Sequence, residues 1–117
     1  MEENKGGVKV SKVSIVIAHH KGRLIERCLN SIDKNKHQVI VVTTDDTLKK
    51  TENMNQLLTL SPVFNNPSFK RNKGAELCLG EYICFMDDDV ELTPRCIEVM
   101  SEHLDNHPKT GMGSLLG

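Results

Sequence analysis

The apolar positions of this chain fall into short blocks that switch between two periods. Val13-Ser14-Ile15-Val16-Ile17-Ala18 is nearly continuous and rich in β-branched side chains, which predicts a buried strand. Residues 23–33 carry Leu24, Ile25, Cys28, Leu29 and Ile32 at helical spacing, which predicts a helix with those side chains on one face. Val39-Ile40-Val41-Val42 predicts a second buried strand. The polar stretch 43–52 leads into a short helix expected around Met54, Leu57 and Leu58, and Val63-Phe64 suggests a brief third strand. Residues 68–79 predict a helix with Phe69, Asn72, Ala75, Cys78 and Leu79 on one side and Gly80 as its C-cap. A strand at 82–86 comes next. Thr93 and Pro94 suit the N-cap and first position of a helix whose inner face is Ile97, Met100 and Leu104. Pro108 ends that helix, and Met112 to Leu116 predict a last strand. Residues 1–11 read as a flexible leader and 12–117 as one domain.

Strands alternating with helices imply an α/β fold of three layers, a mostly parallel sheet with helices on both faces. Such sheets bind ligands outside the carboxyl ends of their strands. Three polar clusters share that edge: Ala18-His19-His20, Thr43 to Asp46, and Asp87-Asp88-Asp89. The aspartates are the most telling of the three. Carboxylates this close repel one another and raise each other's pKa, so a counter-charge is expected there. A divalent metal carrying a phosphate is the obvious one, since carboxylate oxygens suit Mg or Mn. With extended backbone, Asp87 and Asp89 point one way and Asp88 the other. The alternative is a solvated turn after a strand, with an Asp capping the next helix.

Size and charge narrow the function classes. A chain of 117 residues is one small domain, able to bury about two-thirds of its unfolded surface. A net charge of −1 points to no nucleic-acid partner and no electrostatic membrane anchor. Cys28, Cys78, Cys84 and Cys96 stand far apart with no zinc-type spacing, so buried reduced thiols are expected. No apolar run approaches the roughly 20 residues of a membrane span, so no integral membrane segment is expected. Met1 to Gly7 lacks a signal-peptide core, and a cytoplasmic protein follows.

Single residues carry weaker signals. Lys21, Arg23, Lys70, Arg71 and Lys73 are either phosphate contacts or solvated surface. Asn72 and Gly74 read as helix packing and close backbone approach. His103 and His107 have the spacing of a helical metal pair, or simply favour a helix C-terminus. Glu91 reads as an exposed acid beyond the strand end, and nothing in the pattern explains Arg95 in the first turn of a helix.

The same segments, in order, resemble glycosyltransferase family 2, whose members have the GT-A nucleotide-diphospho-sugar fold. The matching residues are V-S-I-V-I-A-H-H at 13–20, L-I-E-R-C-L-N-S-I at 24–32, V-I-V-V at 39–42, R-N-K-G-A-E-L-C-L-G-E-Y-I at 71–83 and F-M-D-D-D-V-E-L-T-P at 85–94. The family writes V-S-I-I-I-P-T-Y-N, I-I-V-V-D-D-G-S, A-R-N-x-G-x-x-x-A-x-G-E-Y-I and F-L-D-D-D-D-x-x-x-P. The resemblance implies a Rossmann-like GT-A half that binds a nucleoside-diphosphate sugar, such as a UDP-sugar, through Mn or Mg. Asp87 and Asp89 match the Asp-x-Asp pair, with Asp89 as metal ligand and Asp87 or Asp88 near the ribose. Ala18, His19 and His20 would flank the base. Thr43 stands where the family has a nucleotide-contacting Asp, with Asp45 nearby, and Arg71 completes the nucleotide-binding set.

The resemblance stops where the family's acceptor half would begin. No residue matches its catalytic base, and little or no sugar transfer is expected of the 117 residues alone. Three readings follow: the nucleotide-sugar domain of a glycosyltransferase, a non-catalytic nucleotide-binding or interaction module derived from one, and a receiver-like phosphate-handling domain. The last needs an acidic pair after the first strand, where this chain has His19-His20. In the family's fold an antiparallel strand separates the aspartate strand from the strand matching Met112 to Leu116. Its lack predicts an open sheet edge and a homo-oligomer joined through roughly 82–117.

Overall fold

The β-branched blocks do form strands. The computed structural model describes residues 13–33, 35–93, 95–106 and 113–114. Its sheet contains β1 (Val13–His19), β2 (Gln38–Thr43), β3 (Gln56–Thr59), β4 (Tyr82–Asp87) and the two-residue β5 (Gly113–Ser114). The order is β3-β2-β1-β4-β5 and every neighbouring pair is parallel. The chain moves outward from β1 through β2 to β3, then crosses to the other side of β1 for β4. The strand order therefore reverses between β1 and β4. A crevice opens at such a switch point, because the connections leave in opposite directions.

Helices cover both faces. On one face, Val13, Ile15 and Ile17 of β1 pack with Val39, Val41, Cys84 and Met86 of the flanking strands. Ile25, Cys28 and Leu29 of α1 (Leu24–Asn30) and Ile97 of α3 (Cys96–Asn106) close this core. Each fully buried aliphatic side chain contributes about 1.5–3 kcal/mol by leaving water. Leu24 departs from the expected α1 face and is exposed. On the other face α2 (Pro67–Ala75) lies against β1 and β2. Asn66 caps α2, its Oδ1 accepting the Phe69 N–H at 3.1 Å, and Pro67 takes the first position, where a missing N–H costs nothing.

The buried stripe of α2 is not the expected one. Lys70 and Gly74 face inward, whereas Asn72 and Leu79 are exposed. Gly74 explains the difference. A Cβ there would stand 2.4 Å from Val16 Cγ1 and 3.2 Å from Val42 Cγ2, so only glycine lets the helix approach this closely. The helix also ends at Ala75, not at 79. Gly80 is not its cap; the Gly80 N–H donates to Ser14 Oγ at 2.8 Å.

Three other expectations are corrected. Residues 56–59 are the third strand, not part of a helix, and Pro62–Phe64 forms a 3-10 turn. Asn55 sets this register: its N–H donates to Val39 O at 2.8 Å and its Oδ1 accepts the Val39 N–H at 2.6 Å. α3 starts at Cys96, after Arg95 in a left-handed conformation (φ 66°), so Thr93 does not cap it directly. Finally, β5 pairs directly with β4, Cys84 beside Gly113 and Phe85 beside Ser114. The oligomer expectation assumed that these two strands are not neighbours. The leader (residues 1–11), Pro94, the stop at Pro108, His107 of the histidine pair and Met112 lie outside the described residues. Among the described residues no helix is long and apolar enough to cross a membrane.

Candidate functional site

Parallel pairing brings the carboxyl ends of β1, β2 and β4 together. His19 sits beside Thr43 in the β1–β2 register, and Ala18 lies beside both Val42 and Asp87. The three sequence clusters therefore share one edge, with the aspartates flanking the switch point.

Below that edge the polar side chains are spent on one another. His19 and Thr43 are buried. His19 Nε2 lies 3.2 Å from the Gly22 carbonyl, which can only accept, so Nε2 carries the ring proton. Nδ1 is then the acceptor, and takes the Thr43 hydroxyl at 2.8 Å. Thr43 Oγ1 in turn accepts the Asp45 N–H at 2.9 Å. The family-based reading put His19 and Thr43 against the nucleotide. Here their side chains lie beneath the surface, bonded to each other.

Above the edge are the exposed groups. His20 is exposed, its Nδ1 2.9 Å from Thr44 Oγ1. Asp45 is half-buried and closes its own turn, its Oδ1 accepting from Thr47 Oγ1 at 2.6 Å and Thr47 N at 2.9 Å; those bonds hold its carboxyl below the usual range.

β4 ends at Asp87, and Asp88 and Asp89 lie in a turn. The strand alternation expected across the triplet therefore stops at its first member. Asp87 and Asp89 are exposed, and Arg71 reaches Asp87 Oδ1 at 3.4 Å. Asp88 is half-buried, with Oδ2 4.0 Å from His19 Nε2. Burial pushes the Asp88 pKa up, His19 opposes that, and Asp89 and Asp87 push it further up. Beneath them, the buried Cys28 thiol points at the Asp87 carbonyl (3.7 Å), and burial with Asp88 and Asp89 raises its pKa to about 12. It is a protonated thiol in a wall, not a nucleophile. No disulfide joins the cysteines among the described residues.

The remaining basic residues separate clearly. Lys21 and Arg23 are exposed, and Lys73 lies over the Phe69 ring at 5.4 Å. Lys70 is 2% exposed: its Nζ donates to the His19 carbonyl at 2.8 Å and to Asn65 Oδ1 at 2.7 Å. It is neither the phosphate contact nor the solvated side chain that the sequence suggested. The available signal was its place four residues before Gly74: once Gly74 faces the sheet, Lys70 must share that face. Glu91 pairs with Arg27 on the surface at 2.7 Å. An open groove of about 480 Å³, with Asn30, Asp33, His37, Glu91, Ile97 and Glu98 in its walls, does not include Asp87, Asp88 or Asp89.

Asp87, Asp88 and Asp89 offer hard oxygen donors. Among the described residues no three acidic, histidine or cysteine side chains gather into a closed cation cage. Mg and similar ions are commonly held by one or two carboxylates with substrate phosphates and water completing the shell.

Residues 14–114 match the family model for glycosyl transferase family 2. The structure is similar to the crystal structure of S. aureus TarS 1-349, with a TM-score of 0.69 at 20% identity. The similarity covers 83% of this chain and 33% of the TarS chain, so the chain spans about a third of that protein's length. The likeness is one of fold: an α/β sheet of the GT-A kind. No curated protein matches the sequence.

Proposed function

The chain belongs to glycosyltransferase family 2, and from that premise we propose that it binds a nucleoside-diphosphate sugar at the carboxyl ends of β1, β2 and β4, with Asp87 and Asp89 holding Mg or Mn. One observation carries this reading: three neighbouring carboxylates stand at the switch point of a parallel sheet. One of them is half-buried with its pKa driven up by burial and by its neighbours. A bound cation would relieve that crowding and, when present, would neutralise the diphosphate leaving group as a Lewis acid.

Each residue then has a distinct task. Asp87 and Asp89 are exposed and available as cation ligands. Asp88, its Oδ2 4.0 Å from His19 Nε2, would face the ribose side. Arg71 is already beside Asp87 and offers a guanidinium to phosphate oxygens, whose geometry it matches. His20 and Asp45 stand at the rim where a base would lie, and His20 presents a flat ring for stacking. His19 and Thr43 orient this layer from below. UDP is the nucleotide to try first.

Calorimetry tests the proposal. UDP with Mn²⁺ is expected to bind the chain, and binding is expected to vanish on chelation and in Asp89→Ala. Equal affinity without metal refutes the cation's role. No binding under any condition refutes the nucleotide reading itself.

A further inference from the structure

The geometry points to Lys70 as a positioning residue of the nucleotide site, one that holds the turn after β1 and the segment before α2 in the arrangement a nucleotide meets. The inference rests on the nucleotide reading above and adds a residue which that reading does not need. A lysine buried to 2% exposure is rare, because its ammonium gives up water and must find partners inside the protein. Here it finds them on two separate segments. One is the backbone carbonyl of His19, the last residue of β1, at 2.8 Å. The other is the side chain of Asn65, between the 3-10 turn and α2, at 2.7 Å. Among the described residues, Lys70 is the hydrogen-bond partner that ties the Asn65 side chain to the strand edge.

The bond to His19 reaches further than one carbonyl. The imidazole of that residue is locked between Thr43 and Gly22 and stands 4.0 Å from Asp88. Lys70 thus fixes the backbone of the residue whose ring stands beside Asp88. The interaction of Lys70 with Asp88 is attractive and opposes the lowering of its pKa by burial. Three polar side chains meet here: His19, Thr43 and Lys70. They are bonded in series, His19 to Thr43 by its ring and to Lys70 by its carbonyl. A bulky basic side chain in the helix–sheet interface is tolerated because those bonds receive it.

A lysine that only stabilised the fold would change the thermal midpoint and leave ligand affinity alone. A positioning lysine changes affinity in protein that is fully folded. Two variants separate these cases. Lys70→Met keeps the length and removes the charge and both bonds. Asn65→Ala removes only the bond to the segment before α2, at an exposed position. Calorimetry with UDP and Mn²⁺ is run well below each variant's midpoint, with amide hydrogen exchange alongside. Lys70→Met is expected to weaken UDP about tenfold or more. Asn65→Ala is expected to keep the wild-type midpoint, weaken UDP about threefold, and speed exchange at 61–66 while β1 and β2 stay protected. Unchanged affinity in both folded variants overturns the positioning role. If Lys70→Met does not fold, Asn65→Ala decides alone, and normal exchange at 61–66 with normal affinity overturns it. Wild-type protein that binds no UDP sinks the nucleotide reading. In that case faster exchange confined to 61–66 in Asn65→Ala still supports Lys70 as the clasp of this edge, and unchanged exchange overturns it.

Discussion

Replacing Gly74 by Ala tests how α2 is held over the site. In an exposed helix this change would stabilise by about 1 kcal/mol, because glycine is the poorer helix former. Here the new methyl would lie 2.4 Å from Val16 Cγ1 and 3.2 Å from both Val16 Cγ2 and Val42 Cγ2. Both valines are fully buried in the sheet, and β-branched side chains there have little freedom to turn aside. The helix must therefore lift. Overpacking of this kind costs about 1–3 kcal/mol, and two stiff partners put Gly74→Ala at the upper end. The net loss is about 1–2 kcal/mol after the helix gain is subtracted. At about 4–8 °C per kcal/mol for a domain near this size, the thermal midpoint falls by about 4–16 °C. Urea unfolding should show a lower midpoint concentration at unchanged slope, since the same surface is exposed. Val16→Ala removes the clashing atoms. Its cost in the Gly74→Ala background should therefore be smaller than in the wild type, a favourable coupling in a double-mutant cycle. A Gly74→Ala protein as stable as wild type would refute the close approach. The placement of Lys70 and Arg71, which ride on the same helix, would fall with it.

Other outcomes follow from the same geometry. Thr43→Val keeps shape but strips the donor to His19 Nδ1 and the acceptor for the Asp45 N–H; leaving buried polar atoms unpaired should cost about 1–3 kcal/mol by urea unfolding, and a neutral change would refute the network. His37 has its pKa lowered from 6.5 chiefly by burial, so the unfolded chain binds the extra proton first. Its contribution to stability is complete above pH 6.5 and is lost as pH falls through the depressed folded value; His37→Leu should flatten unfolding free energy against pH in that window, and an unaltered slope would refute the assignment.

Much of the fold is legible in the residue order. The runs at 13–18, 39–42 and 82–86 are dense in β-branched and apolar side chains, and each is a strand; β1 and β2 are buried on both faces, while β4 buries Cys84 and Met86 on one face and is half-buried on the other. A fully covered strand needs apolar groups at every position, which leaves a signal that survives without tertiary information. The alternation of these runs with helical spacing implied a parallel sheet, and so placed all three polar clusters at one edge. Asn66-Pro67 opens α2 for a local reason, a cap followed by a residue with no N–H to satisfy.

What stayed hidden was decided by neighbours far along the chain. Gln56–Thr59 has an apolar pair too short to carry a period, and it became a strand because β2 offers an unpaired edge and Asn55 bonds Val39 across it. The inner face of α2 was misread because lysine carries the opposite of an apolar signal, although Gly74 itself read as a close backbone approach, which the structure shows. Only the sheet beneath makes Gly74 the point of contact and Lys70 its buried neighbour. In the same way His19 and Thr43 read as ligand contacts, because sequence shows that a polar residue ends a strand but not whether another strand end will claim its hydrogen bonds. Side-chain periodicity is a property of one segment and can be read from it. Pairing, close approach and the satisfaction of buried polar groups are properties of two segments, and they exist only once the chain has brought those segments together.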